Sequence, residues 1–214
     1  HRWLGWNGDA LRFATPEGEA EVHADAVILA LGGGSWPQLG SDGAWQAVLA
    51  ARGIDVAPLL AANCGFDIDW SEHLASRHAG APLKPVVAHW HDAEGREHEL
   101  QGECVVSADG IEGSLIYALS AELREAIARN GRATLHLDLA PGRSLERLQK
   151  DLAKPRGRRS TSEHLRRQAG IEGVKAALLH EVLDKSQRDD SDLLARAIHR
   201  LPLTLQRPRP LAEA

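Results

Sequence analysis

Residues 26–31 are a fully apolar run, Ala-Val-Ile-Leu-Ala-Leu, which breaks at once into Gly32, Gly33 and Gly34. A short β-branched and aliphatic run ended by glycines predicts a buried strand entering a tight loop. Runs without polar alternation are typical of parallel strands covered on both faces. Before it, Trp3, Leu4 and Trp6 precede the turn residues Asn7, Gly8 and Asp9, and Leu11 and Phe13 alternate with polar neighbours. That pattern predicts short antiparallel strands, with a second turn at residues 16–18. Trp45, Val48 and Leu49 form the apolar face of a helix over 43–51, capped by Ser41 or Asp42 and ended by Gly53.

From 59 to about 139 the pattern predicts mostly strands: 64–68, 86–90, 97–100, 103–106 and 134–139, with a hairpin turn at 93–95. Within it, Leu115, Leu119, Leu123 and Ile127 fall at successive i+4 steps, which predicts a helix over 114–130. Beyond Pro141 the period becomes helical. Leu145, Leu148 and Leu152 form one stripe after the cap Ser144. Val174, Leu178 and Val182 form another, and Leu194, Ile198 and Leu201 a last one. Ser160 and Glu163 have capping-box spacing. Pro202, Pro208 and Pro210 stop helices, so the end of the chain reads as a return strand or linker.

These elements define a mixed α/β fold. The hydrophobic fraction of 43% places the chain among globular proteins, and 214 residues suffice for one large or two small cores. No apolar run approaches about 18 residues, so no membrane span is expected. Cys64 and Cys104 lie far apart and form no CxxC, which points to a reducing, cytoplasmic setting. The net charge is −5, but residues 143–167 carry nine basic and three acidic side chains, +6, leaving −11 elsewhere. That basic segment reads as a contact for nucleic acid or for an acidic protein, or as a solvated helix face. The acidic chain and the lack of interleaved aromatics disfavour nucleic acid. The chain opens on His1, in keeping with a fragment or a processed chain.

The run ALGGGSWPQLGSDGAW at 30–45, with NCGFDIDW at 63–70 and GIEGSLIYALS at 110–120, resembles the HI0933-like, or YhiN-like, bacterial flavoproteins. The resemblance covers nearly the whole chain. It implies an FAD-dependent oxidoreductase, with NAD(P)H as a candidate electron donor and an unidentified small-molecule substrate. Family members also carry a GxGxxG loop before this region and a second glycine-rich segment after it, and neither motif occurs here. The chain thus resembles the middle of such a protein, with other parts of the FAD domain as its partners. The implied domains are 1–57, a partial Rossmann-like FAD/NAD(P)-binding domain; 58–140, a β-barrel-like insert; 141–200, a helical appendage; and 201–214, a return segment. The insert is expected to cover the flavin and shape the substrate pocket, and the chain alone is expected to be inactive. An apolar surface left open at the glycine loop predicts association there.

The same resemblance places Ala30, Leu31, Gly32, Gly33, Gly34, Ser35, Pro37, Gly40 and Ser41 against the cofactor. Leu31 stands where the family has Thr, so no hydroxyl contact is available there. Trp36 either shields a flavin or packs its own loop. Cys64, without a second cysteine or a cationic partner in sequence, reads as a buried structural residue rather than a redox thiol. Residues 109–114 differ from the corresponding family turn at Ala108, Asp109, Ser114 and Leu115. They read as a strand-to-helix turn capped by Asp109 or Ser114, with Glu112 as the alternative acid or base. His89 and His91 share a strand face, as two zinc ligands would, but no third ligand accompanies them and an exposed hairpin face explains them equally well, so no metal is expected. No catalytic residue is assigned.

Overall fold

The computed structural model describes residues 1–214. The chain forms two compact units, one of residues 1–61 with 210–214 and one of residues 62–209.

In the first unit, β1 (Arg2–Asn7), β2 (Ala10–Thr15) and β3 (Gly18–Val22) make an antiparallel meander, as the alternation predicts. Asn7 pairs with Ala10 across a two-residue turn in which Gly8 takes a φ of 59°. A bulge at Gly5 leaves room for α1 (Trp45–Ala50): a Cβ at Gly5 would stand 2.8 Å from Val48 Cγ1. Trp3 and Trp6 meet edge to face at 4.7 Å, and the Arg52 guanidinium lies over Trp6 at 4.8 Å.

The strand expected at residues 26–31 is absent. This stretch is irregular, and Ile28 is 92% exposed. The physical reason is that a strand exists only as one of a pair. No other strand of this chain lies alongside it, so the run has neither a hydrogen-bond ladder nor a covering layer.

The second unit holds β4 (Phe66–Asp67), α2 (Glu72–His78), β5 (Ala81–His91), β6 (Glu97–Val106), β7 (Gly110–Glu112), α3 (Ser114–Asn130), β8 (Ala133–Asp138), α4 (Leu145–Leu152), α5 (Thr161–Ala169), α6 (Gly173–Val182), α7 (Lys185–Asp189), α8 (Ser191–His199), β9 (Leu201–Leu205) and β10 (Arg207–Pro208). Its sheet runs β10-β4-β7-β6-β5-β8-β9, with every pair antiparallel. The two outermost members, β9 and β10, are the halves of one stretch interrupted only at Gln206. One half pairs with β8 and the other with β4, so the sheet closes on itself as a barrel and leaves no long open edge.

Leu135, Leu137, Leu201, Leu203 and Leu205 alternate along β8 and β9 and are buried within the closed wall. α3 lays Leu115, Ile116, Leu119, Leu123 and Ile127 against it. Each such aliphatic side chain contributes roughly 1.5–3 kcal/mol of gross burial energy. The approach is close: a Cβ at Gly102 of β6 would come within 3.2 Å of Leu115 Cβ.

Residues 201–209, expected to return to the first unit, instead complete the barrel, and the return begins at Pro210. Leu201, expected at the end of a helical stripe, opens β9, because α8 stops at His199. The short helix α2 was not expected; Ser71 caps it by accepting from the Leu74 amide. Ser160 caps α5 from one side only, and the reciprocal box forms at Asp184 and Gln187 on α7.

On the outer wall, His89 of β5 pairs with Glu99 of β6 and His136 of β8. The exposed face expected for His89 is sealed here, since the residue is only 7% exposed. Burial, followed by the nearby Arg200 charge, holds the His89 imidazole below its usual range, with Glu99, Glu97 and Asp138 opposing. His136 is lowered by burial, then by Arg200, His91 and His89. Both rings are therefore favoured neutral in the fold, and the unfolded chain takes up protons first as pH falls. Stability present above the unfolded histidine value, about 6.5, is lost progressively as pH drops through it. The melting temperature is expected to be lower at pH 5.5 than at pH 7.5, and the paired His89→Gln, His136→Gln variant is expected to flatten that slope.

Candidate functional site

The nine positions implied to flank a cofactor all fall in the first unit, in the loop that joins residue 30 to α1. Proline at 37 opens a short 3-10 turn (Pro37–Leu39), and Gly40 closes it with a φ of 92°. Gly32 also lies in the left-handed region, at 74°, where a side chain costs energy.

The loop is held from its other limb. The Gly43 amide donates to the Gly33 carbonyl at 3.1 Å, and the Trp45 indole N–H donates to the Gly32 carbonyl at 3.2 Å. In a trans peptide, the C=O and the following N–H point in opposite directions. Tying the carbonyls of Gly32 and Gly33 inward therefore turns the amides of Gly33 and Gly34 outward. Neither amide makes a hydrogen bond within the chain. Two consecutive free amides form a ready place for an acceptor oxygen.

The three glycines have different reasons to be glycine. A Cβ on Gly34 would stand 2.8 Å from Leu59 Cδ1 and 3.0 Å from Leu211 Cδ2, so Gly34 is small for the sake of its own unit. Gly32 serves its φ. Gly33 has neither constraint; its nearest neighbour is the Ser41 hydroxyl at 3.7 Å from the added Cβ. Leu31 and Gly40 line a groove of about 350 Å³ together with Arg2, Trp3, Asp42 and Trp45. Arg2 is paired with Asp42 at 3.2 Å, and the Asp42 carboxylate also accepts from the Ala44 amide. The helix expected to be capped by Ser41 or Asp42 starts at Trp45, with Ala44 at the cap position. Ala30 is exposed, and Ser35 half-buried; the hydroxyls of Ser35 and Ser41 have no protein partner. Trp36 takes a left-handed φ of 61° and is 52% exposed.

Arg2, Trp3 and Trp45 went unremarked in the sequence as parts of this site. The indole of Trp45 reaches a carbonyl thirteen residues away, and no spacing rule encodes such a contact.

In the second unit, Cys64 is buried and burial raises its thiol; Cys104 is pushed up to about 12 by the same cause. Neither is a poised thiolate. Asp109, expected as a helix cap, instead pairs with Arg209 at 3.1 Å, and Gly113 occupies the cap position of α3. Glu112 is exposed at the end of β7 and is held by no second acid or base. No group of three or more His, Cys, Asp and Glu side chains is arranged to hold a metal ion. No helix is long and apolar enough to cross a membrane.

An antiparallel closed barrel carrying seven helices, in a chain whose smaller unit holds an outward-facing glycine turn, defines a mixed α/β protein. The family model for the HI0933-like protein barrel and H2TH domain matches residues 60–214, and the chain belongs to the HI0933-like family. That family is flavoprotein-related. A search of curated proteins finds no match to the chain.

Proposed function

We propose that this chain is the flavin-flanking portion of an FAD-dependent oxidoreductase, with the barrel and its helices covering the flavin and shaping the substrate pocket. Family membership carries the reading, and the outward amides of Gly33 and Gly34 agree with it. Bound there, FAD would supply the hydride chemistry, with NAD(P)H as the candidate electron source. The chain's own residues do the holding. The Gly33 and Gly34 amides, which have no acceptor in the chain, would donate to an acceptor oxygen of the cofactor. Gly40 holds the left-handed φ of 92° that closes the turn, a conformation a side chain disfavours. Trp45 and Gly43 keep the two amides facing out. Leu31 contributes an apolar edge and no hydroxyl. The run at residues 26–31 would gain its missing ladder from a neighbouring strand of the same FAD domain.

The test is a visible absorption spectrum with FAD titration, on this chain and on the chain extended in frame at both ends. A flavin band is expected to accompany the extended chain and not the shorter one, which holds no GxGxxG loop for the pyrophosphate. An extended chain that binds no flavin would sink the proposal. In the extended chain, Trp45→Phe keeps the ring packing but removes the donor to Gly32. One net hydrogen bond, about 1 kcal/mol, corresponds to roughly fivefold weaker flavin binding. An unchanged affinity would remove Trp45 from the holding machinery.

A further inference from the structure

The basic segment 143–167 is not absorbed by the flavin reading, and the structure shows how its charges are arranged. A groove of about 410 Å³ opens between the loop that follows α4 and the start of α8. Lys154, Arg156 and Arg188 line it, with Thr161, His164, Ser191 and one carboxylate, Asp189, between them. The carboxylates within reach are too few to neutralise these cations. Asp151 takes Lys154 of the groove at 2.6 Å but is shared with two cations outside it, Arg147 at 2.6 Å and Arg143 at 3.9 Å. Asp189 stands 3.6 Å from Arg156. Arg188 donates through Nη1 to the carbonyls of Leu183 and His180 and keeps its charge without a carboxylate. Beside the groove, Arg158 and Arg159 have no acidic partner within 4.0 Å.

The start of α5 adjoins the groove through Thr161. Arg156 Nη1 donates to Thr161 Oγ1 at 2.6 Å, which holds the guanidinium over the first turn of α5. Ser160 Oγ caps only the Glu163 amide there, so the Thr161 and Ser162 amides remain open. At the inner wall, His164 is 6% exposed; its Nε2–H donates to the Leu152 carbonyl at 3.0 Å and its Nδ1 has no partner. With Nε2–H committed to Leu152, Nδ1 is the acceptor nitrogen of the ring, so His164 closes the inner wall and is not a contact for an anion.

We propose that this groove binds a phosphate group, as a monoester or a diester, held by Arg156 and Lys154 and by the open Thr161 amide at the start of α5. Phosphate fits because the planar guanidinium fork matches two of its oxygens while a helix-start amide takes a third. The volume leaves room for whatever the phosphate is attached to. The proposal is independent of flavin binding.

The experiment uses the 214-residue chain. Thermal melts in sodium phosphate are compared with melts in sodium chloride at matched ionic strength, followed by calorimetric titration with phosphate. Phosphate is expected to raise the melting temperature beyond the chloride effect. Arg156→Gln, a substitution at a partly exposed side chain, is expected to weaken binding about tenfold, whereas Arg158→Gln beside the groove changes it less than twofold. Adenosine monophosphate and a short single-stranded oligonucleotide distinguish the source. Equal affinity for phosphate and mononucleotide indicates a monoester, and tighter oligonucleotide binding that is still lost in Arg156→Gln indicates a diester. A phosphate effect no larger than that of chloride overturns the site. Equal weakening by the two arginine variants also overturns it, since it would show diffuse attraction rather than a built pocket.

Discussion

Gly110→Ala is expected to unfold the barrel unit or cost it about 3–5 kcal/mol, measured by urea melts. A Cβ at this position would stand 1.9 Å from the Phe66 carbonyl oxygen, 2.8 Å from the Ile68 nitrogen and 2.9 Å from the Asp67 Cα. All three are backbone atoms, so no side-chain rotation relieves the overlap, and β4 must move away from β7. The loss would spread. Gly110 pairs with Asp67 across that seam, its amide donates to Ser107 Oγ at 3.0 Å, and its carbonyl accepts from the Trp70 indole at 2.9 Å and from the Ser107 amide at 2.8 Å. Against a typical domain stability of about 5–15 kcal/mol, the penalty is a large fraction of the whole. Gly95→Ala is the matched control. Its φ is 78° but a Cβ there meets nothing, so about 1–2 kcal/mol is expected. Equal effects of the two substitutions would show that the β4–β7 approach is looser than described.

The second large effect is expected at Asp67→Ala, about 2 kcal/mol. This carboxylate is 7% exposed and receives Arg207 Nε at 2.5 Å and Arg209 Nη1 at 3.0 Å, while its own carbonyl accepts from the Gln206 amide at 2.9 Å. It thereby fastens the stretch where β9 passes into β10. The cost is set below that of a fully buried pair because the Arg207 side chain is mostly exposed and Arg209 retains Asp109. Faster hydrogen exchange at the Gln206 amide is the specific readout. Exchange there unchanged, with a uniform loss elsewhere, would show that the clamp contributes nothing particular to closure.

Much of the second unit was legible in the sequence because its periods are local. The i+4 stripe from Leu115 to Ile127 is one buried face of α3, and the alternation at Leu135 and Leu137 is the inner face of β8. What the pattern could not supply was any property held jointly by distant segments. Residues 26–31 have a strand's composition, but a strand also needs a neighbour, and this chain provides none. Leu201, Leu203 and Leu205 alternate as clearly as any strand, yet Pro202 and Pro208 read as stops. Proline is tolerated because β9 has one hydrogen-bonded neighbour, β8, so its other side asks for no donors. The glycines of the candidate site stood out in the sequence. The reason their amides face outward lies in Trp45 and Gly43, and only the folded loop reveals it. Likewise, the excess charge of 143–167 was countable, whereas the sharing of one carboxylate by three cations is a matter of position.

Because one stretch that follows all the other strands supplies both halves of the barrel's seam, the wall stays open until that stretch has been made. A ribosome-bound chain that has emerged as far as His199 carries β4 and β8 as two bare flanks, each waiting for a strand not yet made. Such pairings span long sequence separations and form late, so the nascent unit exposes unpaired strand edges until residues 201–208 close it. A stop codon anywhere before β9 would therefore release a chain with two unpaired edges, prone to joining others like it.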